Sequence, residues 1–447
     1  MKHSSQAKVE NIYQLEGRVP VGKAIPFGLQ HVLAMFVSNV APIILVSSVA
    51  VYNGESFTAV EVARLIQNAM MIAGIGTLIQ LYPIWKVGSG LPVVMGVSFT
   101  FVSAMMVVAA RDYGMMIGAI IVGGCIEGVL GLTVKYWRRF VAPIVSACVV
   151  TTIGFSLLGV GINSYGASDV YDFGSWQNLA VGTITLVACL VFQALAKGFW
   201  KQLYVLFGLV VGYIAAICFG MVDFSSISST VEELGIVSLP MLLHYTPKFQ
   251  LGAIVSVTLV FFVSAAETIG DTTAVCTGGL GRDITEKELS GSLCCDGFIS
   301  AVSGGLFGCT PITSFSQNVG LVAMTKVVNR MALASGAVFL ILCGLIPKLG
   351  ALISIMPQAV LGGAAVMMFS SIVVSGIQLI TKEKMTPRQL TIVSVALGVG
   401  YGMGANSGIL AQAPHAFQLI CGESGIVPAA FVAILLNVLL PKDDKAE

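Results

Sequence analysis

The stretch TPITSFSQNVGLVAMTK, Thr310 to Lys326, decides how the rest of the chain is to be read. It is apolar enough to lie in a membrane. Yet it carries a proline and a cluster of hydrogen-bonding side chains, and it is too interrupted for an ordinary span. Irregular backbone is tolerated at membrane depth only where protein buries it or where it lines a polar cavity. Broken spans of this kind are where many secondary transporters hold their substrate. Gln317 and Asn318 are expected just where a half-helix begins. Their amides, with the free backbone N–H groups of that helix start, would then face a small polar solute. The plainer alternative is a re-entrant turn held by Asn and Gln capping.

Composition agrees with a membrane setting. Of 447 residues, 56% are hydrophobic and 10% charged, with a mean hydropathy of +0.92. Soluble domains carry about 25% charged residues. The apolar runs are too many for a signal peptide plus an anchor, so the chain reads as an all-α polytopic membrane protein. A net charge of +1 predicts no nucleic acid or other polyanionic partner. Ten cysteines lie mostly inside apolar runs, for example Cys148, Cys189, Cys218 and Cys343. Cys294 and Cys295 are adjacent, and neither a CxxC pair nor a Cys/His ligand spacing occurs. They read as small hydrophobes, with neither structural metal nor disulfide expected. Fifty glycines suit close helix packing in lipid.

Outward from the opening stretch, apolar segments fall near 25–46, 65–85, 91–110, 113–134, 140–162, 178–196, 202–222, 251–275, 289–308, 310–325, 330–347, 356–380, 389–405 and 425–441. That makes fourteen, each near the roughly 20 residues a bilayer helix needs, or somewhat shorter. Residues 1–24 form a polar N-terminal tail and 442–447 a polar C-terminal one. With the N-terminus inside, Arg64, Arg111, Lys248 and Lys348 fall outside and the rest of the 23 Lys and Arg fall inside. The positive-inside rule asks for such a bias, and a miscounted span would scramble it. The expectation is a multi-pass protein of the cell membrane with fourteen spans and both termini cytoplasmic.

Fourteen divides into two sevens. Because seven is odd, a second copy of the first half enters the membrane from the opposite side, which is an inverted repeat. The loop around 223–250 is the natural join. The third span of each half is then 91–110 and 310–325. Both begin with a proline, Pro92 and Pro311. Both have a Ser/Thr/Phe-rich middle: Ser98, Phe99 and Thr100 in one, Thr313 to Ser316 in the other. Two broken spans meeting near the midplane would aim two helix N-termini at one site. The alternative is a pair of short, kinked packing helices.

Ionisable residues inside spans are costly, and there are five: His31, Glu127, Glu267, Asp271 and Asp296. Glu267 and Asp271, four apart in SAAETIGDTTAV, share a helix face. Gly270 between them allows a close backbone approach. Two carboxylates on one buried face repel when both are charged, a device suited to proton coupling. Helix caps or Ser/Thr donors satisfying both is the plainer reading. His31, in FGLQHVLAMF, is either a functional group or a satisfied packing residue. Asp296, in CCDGF, is either a proton site or a hydrogen-bond anchor for the Thr310–Lys326 stretch. Glu127, in GCIEGVL, is expected to pair with another span.

Gln317-Asn318-Val319-Gly320, followed after four residues by Thr325-Lys326, resembles the signature of the nucleobase–ascorbate transporter family. That motif reads Gln/Glu/Pro, Asn, any, Gly, four of any, Thr, then Arg, Lys or Gly. Gln30-His31, the run Gly96 to Phe101, Glu267 with Asp271, and Asp296 also resemble family positions, so the likeness spans nearly the whole chain. The resemblance implies a 7+7 inverted repeat with half-helices and short extended segments in spans 3 and 10. It implies a core domain, 25–134 and 251–347, that carries substrate. It implies a gate domain, 140–222 and 356–441, that makes a homodimer contact, with the core sliding elevator-fashion against it. By the same resemblance Glu267 and Gln317 bind a purine edge, Phe99 stacks on the ring, and backbone at Phe99 and Ser316 adds hydrogen bonds.

The chemistry of those residues is consistent with that role. An oxopurine edge alternates N–H donors and C=O acceptors. A carboxylate accepts from N–H, while the amide of Gln317 both donates and accepts. Each unmatched buried polar atom costs about 1–3 kcal/mol, enough for tenfold discrimination or better. An aromatic face at Phe99 suits a flat heterocycle. Uracil carriers of the family have Glu at the Gln317 position and His at the Asp271 position. Gln and Asp here resemble the xanthine and urate branch, and Ser98 resembles carriers that also take urate. Pro at the Gln317 position would mark ascorbate carriers. The expectation is therefore import of xanthine, urate or both, in membrane lipid and without a cofactor. Proton symport resembles most microbial members, with His31, Glu267, Asp271 and Asp296 as titratable candidates and Asn318 at the site. A sodium site assembled from these carboxylates and carbonyls stays open.

Rival readings keep the fold or abandon it. Uracil or another nucleobase is one. Sulfate and bicarbonate carriers share the architecture, but a midplane Glu267 would repel an anion. A channel would present its charges by symmetric repetition, whereas these acids are unequal and scattered. Neither HExxH nor GxSxG nor a GxxxxGK[ST] loop occurs, which argues against an enzyme or a nucleotide-driven pump.

Overall fold

The computed structural model describes residues 9–137, 143–224, 232–235, 237–414, 418 and 425–441. Residues 1–8 of the expected N-terminal tail and all of 442–447 lie outside the described residues. So do Lys2, Lys8, Arg138, Arg139, Lys442 and Lys445 of the charge argument, and parts of the loop 223–250.

The long apolar runs become helices because a bilayer leaves the backbone no other partner along a single segment. In the first half these are α1 (Val21–Ser47), α2 (Ala59–Leu81), α3 (Val102–Arg111), α4 (Tyr113–Leu132), the short α5 (Val134–Trp137), α6 (Pro143–Tyr165), α7 (Trp176–Leu195) and α8 (Tyr204–Cys218). The second half has α9 (Leu251–Ala274), α10 (Glu286–Phe307), α11 (Ser316–Thr325), α12 (Arg330–Cys343), α13 (Pro347–Ser354), α14 (Gln358–Lys382), α15 (Pro387–Ala405) and α16 (Ile426–Leu439). Among the described residues seven of these helices are long and apolar enough to cross a membrane, or eight if α12 and α13, bent by 77°, make one span. The other segments expected to span are carried by shorter or more polar helices.

Helix ends follow local chemistry. α2 and α10 each open on a capping box, Thr58 with Glu61 and Thr285 with Glu288. α4 opens on Asp112, whose carboxylate accepts from Gly114 and Met115 N–H. α10 stops at Gly308, where φ is +65°.

Among the described residues four strands of two or three residues complete the fold. β1 (Val51–Tyr52) and β2 (Glu55–Ser56) form a hairpin. β3 (Met95–Val97) and β4 (Ile312–Ser314), more than two hundred residues apart, pair antiparallel with Gly96 opposite Thr313. Each leads into a short helix, β3 through a 3-10 turn at Phe99–Phe101 to α3 and β4 directly to α11. The ribbon sits in the interior, so its outward N–H groups need partners there. Flanking helices supply them. Met95 N–H donates to Thr77 Oγ1 on α2 and Val97 N–H to Asn39 Oδ1 on α1. Ile312 N–H donates to Ser300 Oγ and Ser314 N–H to Asp296 Oδ2, both on α10.

The helices associate as two groups. α1, α2, α4, α9, α10 and α12 pack around the ribbon, with α4 against α10 as the most extensive contact. α6, α7, α8, α14, α15 and α16 form the second group, dominated by α6 against α14. Small residues set the closest approaches: a Cβ on Gly297 of α10 would stand 2.2 Å from the Gly128 nitrogen of α4.

Candidate substrate-binding site

A cavity of about 470 Å³ lies between the two helix groups, within the range typical of small-molecule sites, roughly 300–1,000 Å³. One wall is built by the ends of the ribbon and by α9. It exposes Ser98, Phe99 and Thr100 after β3, and Thr313 to Gln317 across β4 and the start of α11. Glu267, Gly270 and Asp271 of α9 complete it. The two carboxylates do share one helix face.

Hydroxyls hold the acids. Thr100 Oγ1 donates to Glu267 Oε2 at 2.6 Å. Ser316 Oγ lies 2.8 Å from Asp271 Oδ2 and 3.4 Å from Glu267 Oε1. One hydroxyl hydrogen cannot serve both, so Ser316 favours Asp271 and Glu267 keeps an oxygen for the cavity. The start of α11 carries no side-chain cap: its N-cap position is Phe315. Neither Gln317 nor Asn318 caps it, so the re-entrant turn held by their amides is not what forms. The first N–H groups of that helix are free to point at a solute. Phe99 meets Phe369 edge-on, ring centres 5.3 Å apart, while it also borders the cavity.

Three expected site residues stand behind this wall instead of on it. Asn318, expected to touch substrate, is buried, and its amide nitrogen reaches His31 Nδ1 at 3.1 Å and the His31 carbonyl at 3.2 Å. The helix turn explains the difference: two residues on from Ser316, the side chain has rotated from the cavity toward α1. His31 is buried with it and lies outside the lining. Asp296 adopts the anchor geometry, accepting from Thr268 Oγ1 at 2.6 Å and Ser314 N–H at 3.0 Å. Glu127, expected to pair with another span, has no hydrogen-bond partner on either oxygen. The acids have no close partner backbone at Gly270 either; a Cβ there would meet open space.

The last two positions of the motif do structural work. Thr325 Oγ1 donates to the Leu321 carbonyl, and Lys326, at φ +57°, ends α11 while its ammonium donates to the Gly278 carbonyl.

The opposite wall lies outside every stretch that the sequence motifs mark. It is formed by Ser146 and Val150 of α6, Tyr204 of α8, and a stripe on α14 comprising Met368, Ser371, Ser375, Gln378 and Lys382. The polar members recur at helical spacing within FSSIVVSGIQLITK, an apolar span, and that periodicity is the signal that could have found them.

A family pattern described as "Permease family" matches residues 22–407. The xanthine permease XanQ of Escherichia coli strain K12 is 32% identical over 99% of this chain and 96% of its own. The uric acid permease PucJ of Bacillus subtilis strain 168 is 31% identical over 95% of this chain and 94% of its own. Among solved structures, the transmembrane domain of the cyanobacterial bicarbonate transporter BicA superposes with a TM-score of 0.57 at 16% identity, covering 92% of this chain and 97% of that one. That likeness speaks to the fold alone, a mostly helical membrane domain. With a family match over most of its length and full-length relatives above 30% identity, the chain belongs to the permease family of the nucleobase–ascorbate transporters.

Proposed function

We propose that the chain is a secondary active transporter that imports xanthine, uric acid or both by proton symport. The observation that carries this is a single cavity wall presenting a carboxylate at Glu267, an uncapped helix start at Ser316–Gln317 and an aromatic ring at Phe99. A purine edge needs an acceptor for its N–H groups and a donor for its carbonyls; Glu267 supplies the first, and Gln317 with the α11 N–H groups supplies the second. Phe99 offers the apolar face, and Ser98 borders the same space. Asn318 acts through His31, fixing α11 against α1, rather than on the solute. Asp271, which shares Ser316 with Glu267, is placed to feel whether substrate is bound. Asp296, through Ser314, links the strand to the same cluster.

Fourteen spans, with α3 and α11 as half-helices, give both termini a cytoplasmic location. Residues 25–134 and 251–347 form the moving core and 140–222 with 356–441 the gate, which holds a second copy in a homodimer. The division of the helices into two packing groups supports this reading. The cavity runs along α14 to Gln378, Leu379 and Lys382. The charge bias assigns Lys382 to the cytoplasmic side, so the conformation opens inward.

The test is uptake of labelled xanthine by cells lacking their own purine permeases, with excess cold urate or uracil and with a protonophore. Saturable uptake that urate competes, uracil does not, and the protonophore stops is expected. Glu267→Gln should abolish it; full activity in that variant would sink the site assignment. Competition by uracil would overturn the reading of Gln317 and Asp271. Uptake of bicarbonate or sulfate with no nucleobase transport would make the chain an anion carrier.

A further inference from the structure

Glu127 is fully buried in α4, and among the described residues neither of its oxygens has a hydrogen-bond partner. The glycines around it show where it points. Gly118 lies against Lys248, just before α9 begins, and Gly123 against Phe261 within it, so α4 and α9 run parallel. Gly124 lies against Gly297 and Ala301 and Gly131 against Cys294, so α4 and α10 run antiparallel. At about 100° per residue, Glu127 falls between Gly123 on one side and Gly131 and Gly124 on the other. It therefore faces the seam between α9 and α10, at the level of Asp296.

That seam holds further unpartnered oxygens. Asp296 Oδ1 and Ser264 Oγ are both fully buried and both lack a hydrogen-bond partner. The charges acting on Glu127 are Asp296 from α10 and Glu267 from α9; the thiols of Cys294 and Cys295 lie on the same stretch of α10. Neither α4 nor α9 carries a Lys, Arg or His, and α10 has only Lys287 in its first turn; α3 brings only Arg111 at its far end. The buried oxygens are acceptors almost throughout, and no basic side chain of these helices reaches them. A bare carboxylate there would be an uncompensated charge at membrane depth.

A chain of hydroxyls joins this seam to the cavity. Asp296 Oδ2 accepts from Thr268 Oγ1 at 2.6 Å, and Ser314 Oγ lies 3.4 Å from both Thr268 Oγ1 and Asp271 Oδ2. Ser316 Oγ then bridges Asp271 and Glu267. Ser314 Oγ donates to one of its two neighbours at a time, and because a hydroxyl can accept as well as donate, turning it joins the two ends as a proton relay requires.

We propose that Glu127 is a proton-carrying site behind the substrate wall, exchanging its proton with the cavity through Asp296, Thr268 and Ser314. This rests on the transport reading above. When the proton moves, it leaves the carboxyl oxygen of Glu127 for a carboxylate oxygen of Asp296. The Thr268 and Ser314 hydroxyls, which point toward Asp296 at rest, turn toward the cavity, and each gives up one proton as it takes up another. The cavity gains the proton that Glu127 loses, and the hydroxyls turn back before the next transfer.

The test uses purified protein in liposomes with two readouts, xanthine accumulation driven by a pH gradient and gradient-free xanthine counterflow. Wild type should do both. Glu127→Gln, close in shape and permanently neutral, should retain counterflow within twofold yet lose at least tenfold in accumulation. Thr268→Val, which cuts the relay and leaves Glu127 in place, should behave the same way and decides the matter if Glu127→Gln fails to fold. Wild-type accumulation in either folded variant overturns the proposal. Wild-type accumulation that follows a sodium gradient and ignores pH overturns it too. Wild-type protein that moves no xanthine in either assay removes the transport reading itself, and the proton site with it.

Discussion

At the site the decisive geometry is a shortage of donors. Glu267 and Asp271 compete for one Ser316 hydroxyl, and Thr100 occupies only one oxygen of Glu267. Both acids are half-buried against the cavity, and a substrate N–H there would supply the donor that Glu267 lacks. Gly270 lies between the two acids on the cavity side, where an added Cβ would meet nothing within 4 Å. The spacing of the acids was legible in the sequence, but the reason for the glycine was not: it keeps space open for a solute where a close backbone approach was expected. Gly270→Ala should therefore be tolerated by the fold and raise helix stability by up to about 1 kcal/mol. Gly270→Leu should fold equally well and lose xanthine uptake tenfold or more, by filling the cavity. Thermal unfolding in detergent and uptake kinetics on the same two variants check this, and a Leu variant with wild-type uptake would remove Gly270 from the site.

The ribbon of β3 and β4 shows what an element needs in order to exist inside a membrane. Each strand has three residues, and each is supplied with side-chain acceptors by helices of its own half. The prolines and the Ser/Thr/Phe clusters marked both breaks in the sequence. The pairing itself was hidden, because MGV and ITS are too short to show a period of two and their partners are more than two hundred residues away. Thr77, Asn39 and Ser300 were equally hidden: a hydroxyl or amide in an apolar helix gives no local sign that it serves a strand elsewhere. Asn39 is the sharpest case, being fully buried with its Oδ1 on the Val97 N–H. Asn39→Ala leaves that N–H without a partner and should destabilise the protein by about 1–3 kcal/mol. The same change should weaken transport, because Val97 directly precedes the Ser98–Thr100 turn of the cavity wall. An unchanged unfolding midpoint would mean that the strand finds another acceptor.

On the scale of the whole molecule, a multi-pass helical membrane protein and the family motif were readable in the sequence, because membrane insertion writes hydropathy directly into it. The wall opposite the motif was not, since the motif lies on one helix group and the cavity is made by two. Ser371, Ser375, Gln378 and Lys382 recur along α14 and line the cavity toward the end the charge bias assigns to the cytoplasm. If the chain opens inward in this conformation, that stripe is wet from one side only. Ser375 is exposed, so Ser375→Cys places a thiol in the path. Among the described cysteines only Cys125 and Cys218 are exposed, and alanine at both, and at Cys421 outside the described residues, gives a quiet background. A charged maleimide should then label Ser375→Cys rapidly in inside-out vesicles and severalfold more slowly in right-side-out ones. Excess xanthine should slow the labelling, because a solute held between Glu267 and Phe99 narrows the same cavity. Equal labelling from both sides, with no protection, would mean a continuous pore and would defeat the alternating-access reading. Faster labelling from outside would reverse the orientation deduced from the charges while leaving the cavity and its two walls in place.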